Sequence, residues 1–315
     1  MKMTRALVTA TVALLLLPSH LLSWNIPTHM ITGAIAYQIL EQDAPNKIIG
    51  ARTILEAHPW YRDRWDARIQ SQPDVQRDEL LFMFAARWAD DIRIQAETEH
   101  NSHWHYIHWP FKPHGEPPTV AVKPAHPVNI LTALADNERK ARTAVNADKR
   151  AIALAWLFHL LGDVHQPLNT VQLFTREYSN GDRGGNEICF RVTPERGAID
   201  LHAVWDGLMT SAIDPRMISN TARELRGKLP REALPELSII KPKLWARKSY
   251  ELATSAAYLR GELRGTPKGR RKECREVISA ALLPDGYISG AQYIAQRRTV
   301  LAGYRLAKLL TGIVK

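Results

Sequence analysis

Apolar side chains return at helical spacing along most of this chain. That period predicts helices over residues 29–41, 78–96, 128–146, 149–164, 201–213, 241–261 and 288–313. Asp78 and Asp200 stand at expected N-cap positions, and Pro167 ends the central helix soon after Val164. Period-two alternation does not persist, and residues 187–192 alone read as a short strand. Two Gly- and charge-rich stretches, 178–185 and 264–272, read as loops. The expected architecture is all-α, with long connections able to bring groups from separate helices together.

The first residues follow a different pattern. Lys2 and Arg5 precede an apolar run over 6–17, and the stretch closes at Ser23. A basic start, a short apolar run and a small final residue describe a secretory signal peptide, and the run is shorter than the ~20 residues a membrane span needs. Cleavage is expected after Ser23, although Leu21 is a poor third residue before the cut. No linker, repeat or low-complexity block divides the remainder, so residues 24–315 are expected to form one domain. Losing Lys2 and Arg5 takes the formal charge from +10 to +8, a balance that suits an anionic partner. Cys189 and Cys274 are the only cysteines, and they form one disulfide or stay as two buried thiols. A secreted or periplasmic protein is expected, without stable membrane insertion and with no obligate protein partner evident.

His29, Asp90, His105, His159, Asp163, His202 and Asp206 carry most of the candidate chemistry. Imidazole and carboxylate are zinc-type ligands. His159/Asp163 and His202/Asp206 are each four residues apart, a spacing that stacks both side chains on one helix face. One such pair is commonplace on a helix surface. Two of them, with further donors upstream, point to a metal centre. His105 lies in an aromatic, His-rich loop, 101–110, which taken alone reads as a packed turn.

Six motifs then occur in order: Trp24-Asn-Ile-Pro-Thr-His29, Trp88-Ala-Asp90-Asp-Ile-Arg93, Trp104-His105-Tyr-Ile, His159-Leu-Leu-Gly-Asp163-Val-His-Gln-Pro-Leu, Gly184-Gly-Asn186 and Leu201-His202-Ala-Val-Trp-Asp206. Together they resemble the S1/P1 nuclease family of zinc-dependent single-strand nucleases and 3′-nucleotidases, which is related to zinc-dependent phospholipase C. The resemblance implies an all-α, phospholipase C/P1 nuclease-like domain with three zinc ions. One ion is expected at the amino group and carbonyl of Trp24 with His29 and Asp163. An α-amine is a neutral donor near its ordinary pKa of about 8, so removal of residues 1–23 becomes a condition for activity. A second ion is expected at Asp90, His105, His159 and Asp163, with Asp163 shared. Asp90 falls at the family's catalytic carboxylate. Arg93 falls at a basic residue that neutralises phosphate charge, and a plain ion pair with Asp90 or Asp91 is its competing reading.

The third ion is where the chain departs from the family. His202 and Asp206 are in place, but the expected third donor, a His, is Asn169. An amide oxygen is a poor zinc donor beside imidazole. Asn169 then binds weakly through oxygen, His165 substitutes for it, or the third site stays empty. A weakened but occupiable site is expected, with less help for the leaving group.

On the substrate side, the resemblance assigns base stacking to Tyr106 and a base-edge contact to Asn186. His108 replaces an acidic residue, which changes the expected base preference. Residues 170–183 exceed what the family core requires. Phe174, Arg176, Tyr178 and Arg183 offer a basic-aromatic lining for a strand-binding groove, offset by Glu177 and Asp182, and a loose surface insertion is the favoured alternative. The expected activity is hydrolysis of single-stranded DNA and RNA to 5′-phosphorylated products, with nucleotides as further substrates. The alternatives are a zinc-dependent phospholipase C and a zinc-binding homologue weakened in catalysis by Asn169.

Overall fold

Helices dominate the computed structural model, which describes residues 24–95 and 100–314; the expected leader, residues 1–23, lies outside the described residues. In chain order the α-helices are α1 (Ile26–Asp43), α2 (Pro45–Leu55), α3 (Asp66–Gln70), α4 (Arg77–Ile94), α5 (Ile130–Thr143), α6 (Ala147–Asp163), α7 (Leu201–Asp206), α8 (Pro215–Lys228), α9 (Pro242–Leu252) and α10 (Tyr287–Ile313). Among the described residues, short strands sit in the connections: β1 (Trp109–Phe111), β2 (Val171–Leu173), β3 (Ile188–Arg191), β4 (Ile199–Asp200), β5 (Thr266–Pro267) and β6 (Ala281–Leu282). The fold is all-α, as the helical period predicts.

Asn25 starts α1 by accepting from Thr28 N at 3.1 Å, and Pro27 occupies the first turn, where its missing N–H has no intrahelical partner to lose. The helix is buried continuously from Pro27 to Leu40, its polar residues Thr28, His29, Thr32 and Gln38 included. It runs between α4, α8 and α10. Gly33 permits the approach to α4, because a Cβ there would stand 2.6 Å from the carbonyl oxygen of Phe82. Helix α6 packs on α5 and α4 and is buried from Ala153 to Asp163. These helices share the main core, while a second core gathers β2, β3, α7 and the start of α10. Trp205 Nε1 donates to Tyr287 Oη at 2.9 Å and pins α7 to α10.

Several sequence expectations need correction. The helix from Leu201 ends at Asp206 and not at 213, with Gly207 as its C-cap. The helix from 241 stops at Leu252, passes into a π turn over Ala253–Ala257, and is broken where Arg260 takes φ 57°. Gln76, not Asp78, is the N-cap of α4; Asp78 lies in its first turn and binds Arg52 Nη1 at 3.1 Å. Helices α2, α3 and α8 have no counterpart in the sequence pattern. In α8 only Ile218, Ser219, Ala222 and Leu225 are buried, a stripe too narrow to stand out among its charges. Residues 170–183 are not a loose insertion: β2 pairs in parallel with β1, Phe174 is fully buried and Asp182 is internal. Cys189 and Cys274 form a disulfide, consistent with an exported chain. No helix among the described residues is long and apolar enough to cross a membrane.

Candidate metal centre

Asp163 is the focus of the site. It ends α6, and α1, α4 and the short 3-10 turn Ser102–His105 each bring a group towards it. Oδ2 lies 3.0 Å from both His105 Nδ1 and His159 Nε2, and Oδ1 lies 3.4 Å from His29 Nε2. Asp90, on α4, faces the same space, 3.9 Å from the Nε2 atoms of His29 and His159. The rings of His29 and His159 stack at 3.8 Å. Gly162 is required for that packing, since a Cβ there would meet His29 Nδ1 at 2.7 Å. Asp163, Asp90, His29 and His159 are wholly buried, and His105 nearly so.

The electrostatics call for cations. His159 Nδ1 is 2.9 Å from Ala86 O and donates to it, which turns Nε2 towards two carboxylates. Burial opposes protonation of His159, but Asp163 and Asp90 overcome it and raise the imidazole to about 9. Burial would also raise Asp163, yet the His159 charge and the hydrogen bonds from His105 and His159 hold it well below the usual carboxylate range. Burial lowers His105. Both oxygens of Asp90, both ring nitrogens of His29 and Nε2 of His105 are buried with no hydrogen-bond partner among the described residues. Two carboxylates and three imidazoles with donor atoms left over in a dry site fit a metal centre. Two sets have their ligand atoms within 4.8 Å of one another: His29–His159–Asp163 and Asp90–His105–His159.

Arg93 Nη2 lies 3.6 Å from Asp90 Oδ1 and makes no hydrogen bond among the described residues. Asp91 is instead held by Arg87, through Nε at 2.8 Å and Nη2 at 2.7 Å. Of the two ion pairs expected as the competing reading, Arg93 makes the one with Asp90 and not the one with Asp91, which is occupied by Arg87.

A family model described as S1/P1 Nuclease matches residues 24–315. The chain belongs to the S1/P1 nuclease family. It is 30% identical to Endonuclease 5 of Arabidopsis thaliana over 174 residues, 51% of this chain and 50% of that protein. It is 29% identical to Endonuclease 3 of the same plant over 178 residues, 51% of each chain. The matched region spans about half the length of these curated relatives.

Within this S1/P1 chain, His202 and Asp206 form a second, leaner group on α7. His202 Nδ1 is 2.7 Å from Gly184 O, and Nε2 is 3.6 Å from Asp206 Oδ2. Burial raises Asp206 well above the carboxylate range and lowers His202. Asn169 does not complete the group through its nitrogen, because Nδ2 donates to Asp163 O at 3.1 Å and lies 3.4 Å from Asp163 Oδ1. His165 is not a substitute. It donates through Nδ1 to Leu161 O at 2.7 Å and accepts from Arg305 Nη1 at 2.5 Å, which ties it to α10.

Trp24 is buried at the entrance to α1, and Asn25 Nδ2 joins it to the loop after α7 through Thr210 O at 2.8 Å. Tyr106 stacks on His108 at 4.1 Å, with planes 9° apart. Desolvation, then the charges of His202 and Arg183, lowers His108 to about 3 and keeps it neutral. Asn186 is buried, donates to Arg183 O at 2.6 Å, and leaves Oδ1 without a partner among the described residues.

Two further residues escape a reading of the sequence. Gln166 donates to Asp206 Oδ1 at 2.9 Å; its place inside the Gln-Pro-Leu motif is the available signal. Asp182 accepts from Leu173 N, Gly184 N, Gly185 N and Tyr258 Oη, and so shapes the loop against which His202 rests. An acid directly before Arg-Gly-Gly reads as a surface charge, and nothing local marks it as internal.

Proposed function

We propose that residues 24–315 act as a zinc-dependent nuclease on single-stranded DNA and RNA, leaving 5′-phosphorylated products and removing 3′-phosphates from nucleotides. The supporting observation is the buried meeting of Asp163, Asp90 and three imidazoles with unspent donor atoms, beside an Arg93 nitrogen that lacks a hydrogen bond. His29, Asp163 and the amino group and carbonyl of Trp24 hold one ion in this reading, and Asp90, His105, His159 and Asp163 hold its neighbour. His202 and Asp206 are a half-site that takes a further ion loosely, with Asn169 contributing at most an amide oxygen.

Bound ions at such a centre lower the pKa of water and offset charge on phosphate. The chain's own groups do the rest. Asp90 orients the attacking water and takes its proton, and Arg93 binds a phosphate oxygen. Tyr106 stacks a base on the face that His108 leaves open, which is worth about 1–3 kcal/mol per base. Asn186 Oδ1 accepts from a base edge. Export removes residues 1–23 and frees the Trp24 amine, so a chain extended before Trp24 should be nearly inactive.

The test is digestion of single-stranded DNA and RNA by zinc-loaded protein beginning at Trp24, with end-group analysis. Chelator-sensitive release of 5′-phosphomononucleotides is expected. No cleavage by a folded, zinc-containing chain would overturn the reading and turn attention to phospholipid phosphodiesters.

A further inference from the structure

The turn that follows β5 reads Lys268-Gly-Arg270-Arg271-Lys272. Arg270, Arg271 and Lys272 are exposed, and their side chains form no ion pair or hydrogen bond among the described residues. Unlike an ordinary charged loop, this turn is fixed at both ends. On one side β5 pairs with β3, Lys268 N extends the ladder to Glu187 O at 2.9 Å, and Lys268 Nζ reaches Asn186 O at 2.9 Å. On the other side Cys274 is bonded to Cys189 of the same strand β3. A fixed turn keeps its charges in register without the entropy cost of ordering a loose one on binding.

The adjoining loop adds a fifth cation. Asp182 gathers the amides of Gly184 and Gly185, and Arg183 beside them takes φ 57°. A left-handed backbone at a long side chain costs about 1 kcal/mol or more and persists only where the surroundings impose it. The Arg183 guanidinium is exposed, its one ion-pair neighbour among the described residues being Glu187 at 3.4 Å. A Cβ on the next residue, Gly184, would stand 3.5 Å from His108 Nε2, so the backbone at Arg183 runs beside the Tyr106–His108 ring stack. Arg183 and Lys268 each lie 3.4 Å from Glu187 and share its charge, so the surplus positive charge is carried by Arg270, Arg271 and Lys272 of the outer turn. Glu273 is already paired with Arg275 at 2.7 Å.

Resting on the nuclease reading, we propose that Arg183 and the turn Lys268–Lys272 form a backbone track that grips phosphates of a single-stranded polynucleotide several nucleotides away from the bond being cleaved. The turn has no apolar side chain to enter a bilayer, and it is tied through Lys268 to Asn186 and Glu187, next to the Gly184–Gly185 loop. The track makes the enzyme favour chains over short fragments, without reading sequence.

The experiment compares the zinc-loaded protein with the triple variant Arg270→Gln, Arg271→Gln, Lys272→Gln. Binding is measured on phosphorothioate oligothymidylates, and kcat/KM on ordinary ones, from a dinucleotide to chains of about 16 nucleotides. The variant should lose roughly tenfold in affinity for long chains, with the loss in kcat/KM growing with length. Its plot of log affinity against log salt should be shallower by about 2, since each single-strand phosphate contact contributes about 0.7. An unchanged slope and length dependence in a variant that still cleaves overturns the track and leaves the nuclease intact. Track-dependent binding without any cleavage supports the track and removes the nuclease reading. Loss of binding to phosphatidylcholine vesicles containing phosphatidylglycerol, with oligonucleotide binding unchanged, overturns the track in favour of an anionic membrane surface.

Discussion

His159/Asp163 and His202/Asp206 share one spacing and one pair of side chains, yet their surroundings are electrostatically opposite. Asp163 meets three imidazoles and is held well below the usual carboxylate range against its burial. Asp206 is buried with Gln166 as its side-chain donor, and Asp200, Asp163 and Asp90 push it further up. Donors arrive at the first pair from α1, α4 and the Ser102–His105 turn, whereas the second stands on a six-residue helix and has the amide of Asn169 where a third imidazole is expected. An i, i+4 spacing presents two ligands on one face. What converges from other elements decides whether they become a charge-balanced centre or a half-site.

The sharpest way to break this contrast is to make the same change in both pairs. Asp163→Asn should strip the deep centre of metal and lower hydrolysis by more than about 10³-fold, because both ligand sets lose their shared charge. Asp206→Asn should leave the deep metal in place and lower the rate by at most about 10²-fold. Metal analysis of the purified variants, with initial rates in excess zinc, separates the two. Equal losses would erase the distinction.

The two regions should also differ in what holds them together. The disulfide spans a sequence separation of 85 and serves β3 and its neighbours, not the helices that carry Asp163. Replacing Cys189 and Cys274 by Ser should lower stability in urea by about 2–5 kcal/mol while the deep metal content stays constant. Zinc loss in parallel with unfolding of the outer strands would show that the regions are not separable. A smaller effect, of opposite sign, is expected from Asn169→His. It places an imidazole beside His202 and Asp206, and should raise zinc retention and increase turnover by about ten- to a hundredfold. No gain in either would mean that the missing donor is not what limits the outer pair.

Most of the deep centre is legible in the sequence, because its candidate donors sit on long helices rich in apolar residues or in motifs of fixed spacing. The 3.6-residue period locates α1, α4, α6 and α10 to within a few residues. It does not reveal that α7 stops at Asp206, since 207–213 keeps apolar residues while Gly207 ends the hydrogen-bond ladder. It also misses α8, whose burial depends on a partner, α1, far away in sequence. The fate of Asn169 is only half legible: its poor chemistry as a donor follows from its side chain, but its bond to Asp163 and the commitment of His165 to Arg305 are tertiary facts. Residues 170–183 look dispensable because a buried acid such as Asp182 is, on its own, indistinguishable from a solvated one.

Asp182 gives the finest test, because it extends the contrast between a carboxylate held down and carboxylates pushed up. Burial raises it to about 6, against the opposing pull of the Tyr258 hydroxyl and three backbone amides. The native state therefore binds this proton more tightly than the unfolded chain, whose aspartate titrates near 3.8. The stability it contributes is fully present below that lower value and is lost as pH rises through about 6. Asp182→Asn removes the titration. The difference in urea stability between wild type and variant, measured on chelator-treated protein, should move against the wild type by about 1 kcal/mol between about pH 5 and about pH 7.5. A difference that stays flat, or moves the other way, would mean that the loop amides hold Asp182 as a stable carboxylate. The outer region would then contain a compensated acid of the same kind as Asp163.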